Sequence, residues 1–223
     1  MINLLQIDST HAATAASGGI SLFDLLKLGG WVMIPLMLLL VITIFVFFER
    51  LIAIRKASNI DSNFMNIVRD HIISGNVTAA RSFAKNTNNP VARIIDKGIQ
   101  RIGKPIENIE RSMENVGKLE IYNLERNLSI LSLSAGISPL LGFLGTIIGM
   151  FQLFYSLATG GDFTIQTMAN GIYTKVITSA TGLIIGLLAL LAHNYLTTQV
   201  DKTAYKMEAS SAEFLDILQE PTR

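Results

Sequence analysis

The sequence predicts an all-α integral membrane protein with three transmembrane helices and long cytoplasmic helical extensions. Three observations predict it. Half of the 223 residues are hydrophobic and only 16% are charged, with a mean hydropathy of +0.44, away from the composition of an ordinary soluble domain. Three segments reach the roughly 20 apolar residues that cross a hydrocarbon core of about 30 Å. The remaining pattern is helical, with no strand-like alternation anywhere.

The elements follow in chain order. Residues 1–27 read as a periplasmic tail, loose over Thr10–Gly19 and ending in a short interfacial helix around Leu22, Phe23, Leu25 and Leu26. Residues 28–49 form the first span, charge-free from Leu28 to Phe48 with Trp31 at headgroup level. It starts too late, runs too long and lacks the following small-residue site of a cleaved signal peptide, so it is expected to stay. Residues 50–131 make a helical cytoplasmic region. Asp61 is expected to cap a helix with Phe64, Ile67, Val68 and Ile72 on its apolar face. Gly75-Asn76 breaks it, Val77–Lys85 forms the next helix, and Pro90 suits the first turn of another through Ile94, Ile95 and Ile99. After Gly103-Lys104-Pro105, one unbroken helix is expected from about Ile106 to about Leu157. Residues 132–157 of it are the second span, 158–170 a periplasmic loop, 171–196 the third span and 197–223 a cytoplasmic C-terminal helix.

Orientation comes from the flanking basic residues. Arg50, Arg55, Lys56, Lys118, Arg126, Lys202 and Lys206 border the spans on one side, against Lys27 alone on the other. The N-terminus is therefore outside and the C-terminus inside. The net charge of +1 gives no basic field for nucleic acid. The absence of cysteine removes disulfides, thiolate metal sites and thiol chemistry. No phosphate-binding glycine loop, metal-ligand cluster or nucleophile–base pair is read, so neither an enzyme nor a cofactor is predicted. His71 reads as an ordinary helix-surface residue, and the charges of Glu107–Glu125 as a solvated face.

Within the membrane the informative residues are small or hydroxylated. Ser138, Gly142, Gly145, Thr146 and Gly149 recur at three- and four-residue steps on the second span; Thr174, Thr178, Thr181, Gly182 and Gly186 do so on the third, with Ser179 beside them. Small residues let helix backbones approach, and hydroxyls can bond across the gap. Two further fates stay open for the hydroxyls: a bond to the carbonyl one turn back, or a place on a water-organising polar path. Lys175 has two readings as well, snorkelling to the outer interface or serving as a charge at an outer mouth. His193 lies near the inner end, as an interfacial residue or a proton-exit group.

These residues carry a resemblance. Leu124–Phe154 contains SPLLGFLGTIIGM and Met168–Ala189 contains GIYTKVITSATGL. Together with NPVARIIDKGIQ ahead of the long helix, they resemble the ExbB/TolQ/MotA proton-channel family over about residues 20–205, most closely the ExbB type. The resemblance implies a homo-oligomeric ring, a pentamer, in the bacterial inner membrane. Its second and third helices would surround the single membrane helix of an ExbD-like partner, and the motor would energise a TonB-like protein. It also implies that Thr146 and Ser179 are the pore-facing hydroxyls. The glutamate of many relatives is replaced by Thr174, followed by Lys175, so that glutamate's role does not transfer. No Asp or Glu lies inside the spans; Glu49 borders an inner mouth and Asp162 lies in the outer loop. Thr and Ser do not ionise usefully near neutral pH, so the proton-binding Asp is expected on the partner. TolQ-like and gliding-type motors are the neighbouring readings within the family. A non-conducting scaffold, whose small-residue stripes only hold helices together, is the reading outside it.

Overall fold

The computed structural model describes residues 30–160 and 164–219, and seven helices account for nearly all of these described residues. After a single 3-10 turn at Gly30–Val32 come α1 (Met33–Ser58), α2 (Phe64–Ile73), α3 (Val77–Asn86), α4 (Pro90–Ile99), α5 (Ile106–Glu125), α6 (Leu128–Ala158) and α7 (Ile165–Gln219). No strand occurs among the described residues. Three helical stretches, within Gly30–Ser58, Ile106–Ala158 and Gly171–Gln219, are long and apolar enough to cross a membrane. The interfacial helix expected before residue 28, and Asp162, lie outside the described residues.

Three expectations about boundaries are corrected. The helix expected to run unbroken from Ile106 ends at Glu125 and restarts at Leu128. Arg126 turns extended (φ −51°, ψ 134°) and Asn127 takes φ 68°, a left-handed conformation that Asn tolerates better than most residues. The residues responsible are polar and sit between two apolar runs, so periodicity alone passes over them. Secondly, α2 begins after Asn63 rather than on an Asp61 cap. Asp61 instead accepts the Asn63 amide on its side chain (2.9 Å) and the Phe64 amide on its carbonyl (3.0 Å). Thirdly, α7 starts at Ile165, within the expected outer loop.

The chain divides into two compact units. The first comprises Met1–Leu39 and Ile137–Ile185. Here Val32, Met33 and Leu36 are buried, and the C-terminal part of α6 and the N-terminal part of α7 pack through their small residues.

The second unit comprises Leu40–Gly136 and Gly186–Arg223. One of its cores gathers Phe64, Val68, Ala80, Ile94, Ile95, Ile109 and Met113 around Met207, Phe214 and Ile217 of α7. Gly98 lets α4 into this core: a Cβ there would stand 2.6 Å from both Met113 Sδ and the Phe214 ring. Asn89 positions α4. Its side-chain oxygen caps the Val91 amide (2.9 Å), and its Nδ2 donates to the Ala57 and Asn59 carbonyls at 2.9 and 3.2 Å. Arg93 grips Glu120 of α5 with two hydrogen bonds of 2.7 and 2.6 Å. A second core joins Val46 and Ile54 of α1 to Leu128, Leu131, Leu196 and Val200.

Candidate functional site

Ser138, Gly142, Gly145, Thr146 and Gly149 of α6 meet Lys175, Thr178 and Gly182 of α7 along a seam. Its tightest point is the pair Gly142–Gly182. A Cβ on Gly142 would lie 3.1 Å from the Gly182 Cα and from the Ser179 and Thr178 carbonyl oxygens. One on Gly182 would lie 2.5 Å from the Ser138 carbonyl oxygen and 2.9 Å from the Gly142 Cα. These neighbours are backbone, so the approach exists only because both positions lack a side chain. Ser138 is fully buried on the same face. Gly186 is also buried, on the part of α7 that belongs to the second unit.

One turn further toward the C-terminal end of α6, Gly145 faces Thr178. The Thr178 methyl would be 2.7 Å from a Cβ at Gly145, and Val32 Cγ1 would be 3.2 Å away. Thr178 is completely buried here, and its Oγ1 has no hydrogen-bond partner among the described residues. A buried hydroxyl without a partner is costly, on the order of 1–3 kcal/mol. Another turn along α6, the aliphatic stem of Lys175 lies across Gly149, where any Cβ would collide with its Cγ, Cδ and Cε. Among the described residues Lys175 forms no ion pair. The seam thus receives its stem in a groove that a glycine leaves open.

The hydroxyls divide between the fates set out above. Thr181 donates to the Ile177 carbonyl one turn back at 2.9 Å, a bond internal to α7. Thr146, half-buried, reaches the carbonyl of Lys175 on the facing helix at 3.1 Å and its own Gly142 carbonyl at 3.3 Å. It has one proton to donate, so the shorter, interhelical bond is the better acceptor. Ser179 is half-buried on the same helix. Thr174 is helical, but its side chain lies outside the described residues.

His193 stands apart from this seam, in the second unit. Its Nδ1 lies 3.2 Å from the Leu128 carbonyl oxygen at the start of α6. A carbonyl only accepts, so Nδ1 carries the proton.

A cluster that sequence reading did not single out surrounds the α5–α6 break. Arg50 is buried on α1 and donates from Nη1 to the Asn123 carbonyl (3.2 Å) and from Nη2 to Glu49. The Glu49 carboxylate also accepts from Asn127 Nδ2 at 3.4 Å. These residues are far apart in sequence, and only their arrival at one bend reveals the group. Its sequence signal was the Glu49-Arg50 pair directly after a charge-free run, where a simple interfacial role is the first reading.

Comparison with known proteins fits this arrangement. Residues 86–209 match the model of the MotA/TolQ/ExbB proton channel family. A biopolymer transport protein ExbB homolog of Methanothermobacter thermautotrophicus is 28% identical over 161 residues, covering 72% of this chain and 57% of that protein. The biopolymer transport protein exbB1 of Vibrio cholerae is 35% identical over 88 residues, 39% of each chain. The Tol-Pal system protein TolQ of Haemophilus influenzae is 31% identical over 111 residues, covering 50% of this chain and 47% of that one. The chain thus spans about two-fifths to three-fifths of the length of these relatives. The matched region contains the α6–α7 seam, the Asn127 break and His193, and the chain belongs to the MotA/TolQ/ExbB proton channel family.

Proposed function

We propose that this chain is the ring-forming subunit of a proton-motive-force-driven motor in the bacterial inner membrane, with its N-terminus periplasmic and its C-terminus cytoplasmic. In this reading five copies surround an ExbD-like single-span partner and energise a TonB-type system. The membrane-spanning segments are those expected from the sequence, residues 28–49, 132–157 and 171–196. The observation that carries the proposal is the chemistry of the seam. Within a proton-channel family, α6 and the membrane part of α7 carry hydroxyls but no Asp or Glu. A motor needs a group that takes up and releases a proton within the field, and hydroxyls do not. The partner therefore supplies the carboxylate, and Thr146 and Ser179 face it, with Thr174, Thr178 and Thr181 along the same wall. Lys175 and His193 are the charged or chargeable groups nearest the two mouths. One proton crossing 100 mV releases about 2.3 kcal/mol, so mechanical output requires several.

The test is energised transport in cells carrying the partner. Thr146→Val and Ser179→Ala are expected to reduce transport while the complex still assembles. Normal transport in both variants would remove the pore roles. A TolQ-type motor is the near alternative, supported by the TolQ relative, and gliding-type motors stand beside it. The scaffold reading is favoured by one specific observation: Gly142, Gly145, Thr178 and Gly182 are already occupied in packing within the single chain. Under it, the conservative variants keep function, and bulky residues at Gly142 or Gly145 break assembly.

A further inference from the structure

We propose that His193 is a proton-relay residue of the motor described above. The inference rests on that reading and adds a site and a tautomer.

An open cavity of about 410 Å³ lies in the second unit, walled by Glu125 of α5, Ser129 and Ser132 of α6, and His193 and Thr197 of α7. Two features mark it. First, its only ionisable lining groups are Glu125 and His193; the polar remainder is hydroxyl. Secondly, the imidazole is held in one tautomer. Nδ1–H is committed to the Leu128 carbonyl at 3.2 Å, which leaves the Nε2 lone pair as the free basic site of the ring. Thr197, which lines the cavity, returns its own proton to the His193 carbonyl (3.0 Å), so its oxygen lone pairs are left as acceptors.

The relay step is a simple transfer. A proton arriving along water or hydroxyl forms the Nε2–H bond and makes an imidazolium, with Nδ1–H kept by Leu128. The Nε2–H bond then breaks toward the Glu125 carboxylate or cytoplasmic water, and neutral imidazole returns. Imidazole changes charge between about pH 5 and 8, the range in which such exchange is fast in both directions.

His193→Asn is the informative variant, because the Asn amide nitrogen sits where Nδ1 does and preserves the bond to Leu128 while removing the titrating nitrogen. Proton uptake is measured with a pH-sensitive dye in proteoliposomes holding the chain with its co-purified single-span partner, across pH 5–9. The Asn variant is expected to conduct about 10²-fold less, the lower end for losing a positioned proton-transfer group. Conduction equal to the unsubstituted complex at every pH overturns the relay while leaving the motor reading intact. An unsubstituted complex that conducts no protons overturns both. Should the variant fail to assemble, ¹⁵N-histidine spectra of the unsubstituted complex decide. The neutral ring is expected to carry its proton on Nδ1, leaving Nε2 bare; an Nε2–H tautomer overturns the relay.

Discussion

The side chains that matter most in the seam are those that are missing. Gly182 has backbone on two sides, the Ser138 carbonyl and the Gly142 Cα, and backbone cannot rotate aside as a side chain can. Gly182→Ala is expected to lower stability by about 1–3 kcal/mol, the range for overpacking a tight site, read as a fall in the unfolding midpoint in detergent. An unchanged midpoint would show that the helices separate more freely than this contact implies. Gly149 poses a softer case, because its neighbour is the flexible stem of Lys175. Thr146 shows a different economy: its single proton bridges two helices, while Thr181 spends its own on Ile177. Interhelical bonds of this kind contribute about 0.6 kcal/mol on average in membranes. The loss expected in Thr146→Val is therefore one of transport more than of assembly. Sequence spacing placed these small and hydroxylated residues on shared faces. It did not distinguish a hydroxyl turned back on its own helix from one that reaches across, because that choice depends on where the next backbone passes.

At the scale of helices, the break at Arg126-Asn127 is the feature that periodicity missed. Apolar positions continue through it from Leu124 to Leu128 and Leu131, and all three are buried in one core. Of the three polar residues between Leu124 and Leu128, Asn127 takes the left-handed conformation, and Arg50 and Glu49 of α1 hold the Asn123 carbonyl and the Asn127 side-chain amide. A left-handed backbone costs an L-residue on the order of 1–2 kcal/mol, and more for a β-branched one. Asn127→Val is thus expected to destabilise the chain by about 1–3 kcal/mol, while Asn127→Gly stays near the unsubstituted value; thermal unfolding of the pair checks it. Equal stability of the two would place the left-handed turn outside the determinants of the fold. Other helix ends were legible because their residues are local punctuation. Gly75-Asn76 ends α2 and Pro90 opens α4 as their chemistry dictates. The buried amide of Asn89 ties the end of α1 to α4 across some thirty residues, a link no local pattern contains.

For the whole chain, the exposed surface carries a prediction of its own. Leu38, Phe45, Phe143, Phe151, Leu183 and Leu187 are all more than half exposed on the membrane-length helices. Such apolar faces belong against membrane lipids or neighbouring copies. The ring reading expects native mass spectrometry of the chain co-expressed with its partner to give five copies per complex; a monomeric mass in lipid-like detergent would remove the ring. The sequence by itself determined the all-helical class, the three membrane-length apolar segments and the family, since each depends on composition, length and short-range spacing. Only the tertiary structure decided that Gly142 meets Gly182, that Thr146 bonds to the Lys175 carbonyl and that Glu49 and Arg50 clasp the Asn127 turn. It alone brought His193 and Glu125 to one cavity. Helical periodicity says which residues share a face. Which face meets which, and at what height, is set by backbones packing against each other over long sequence separations.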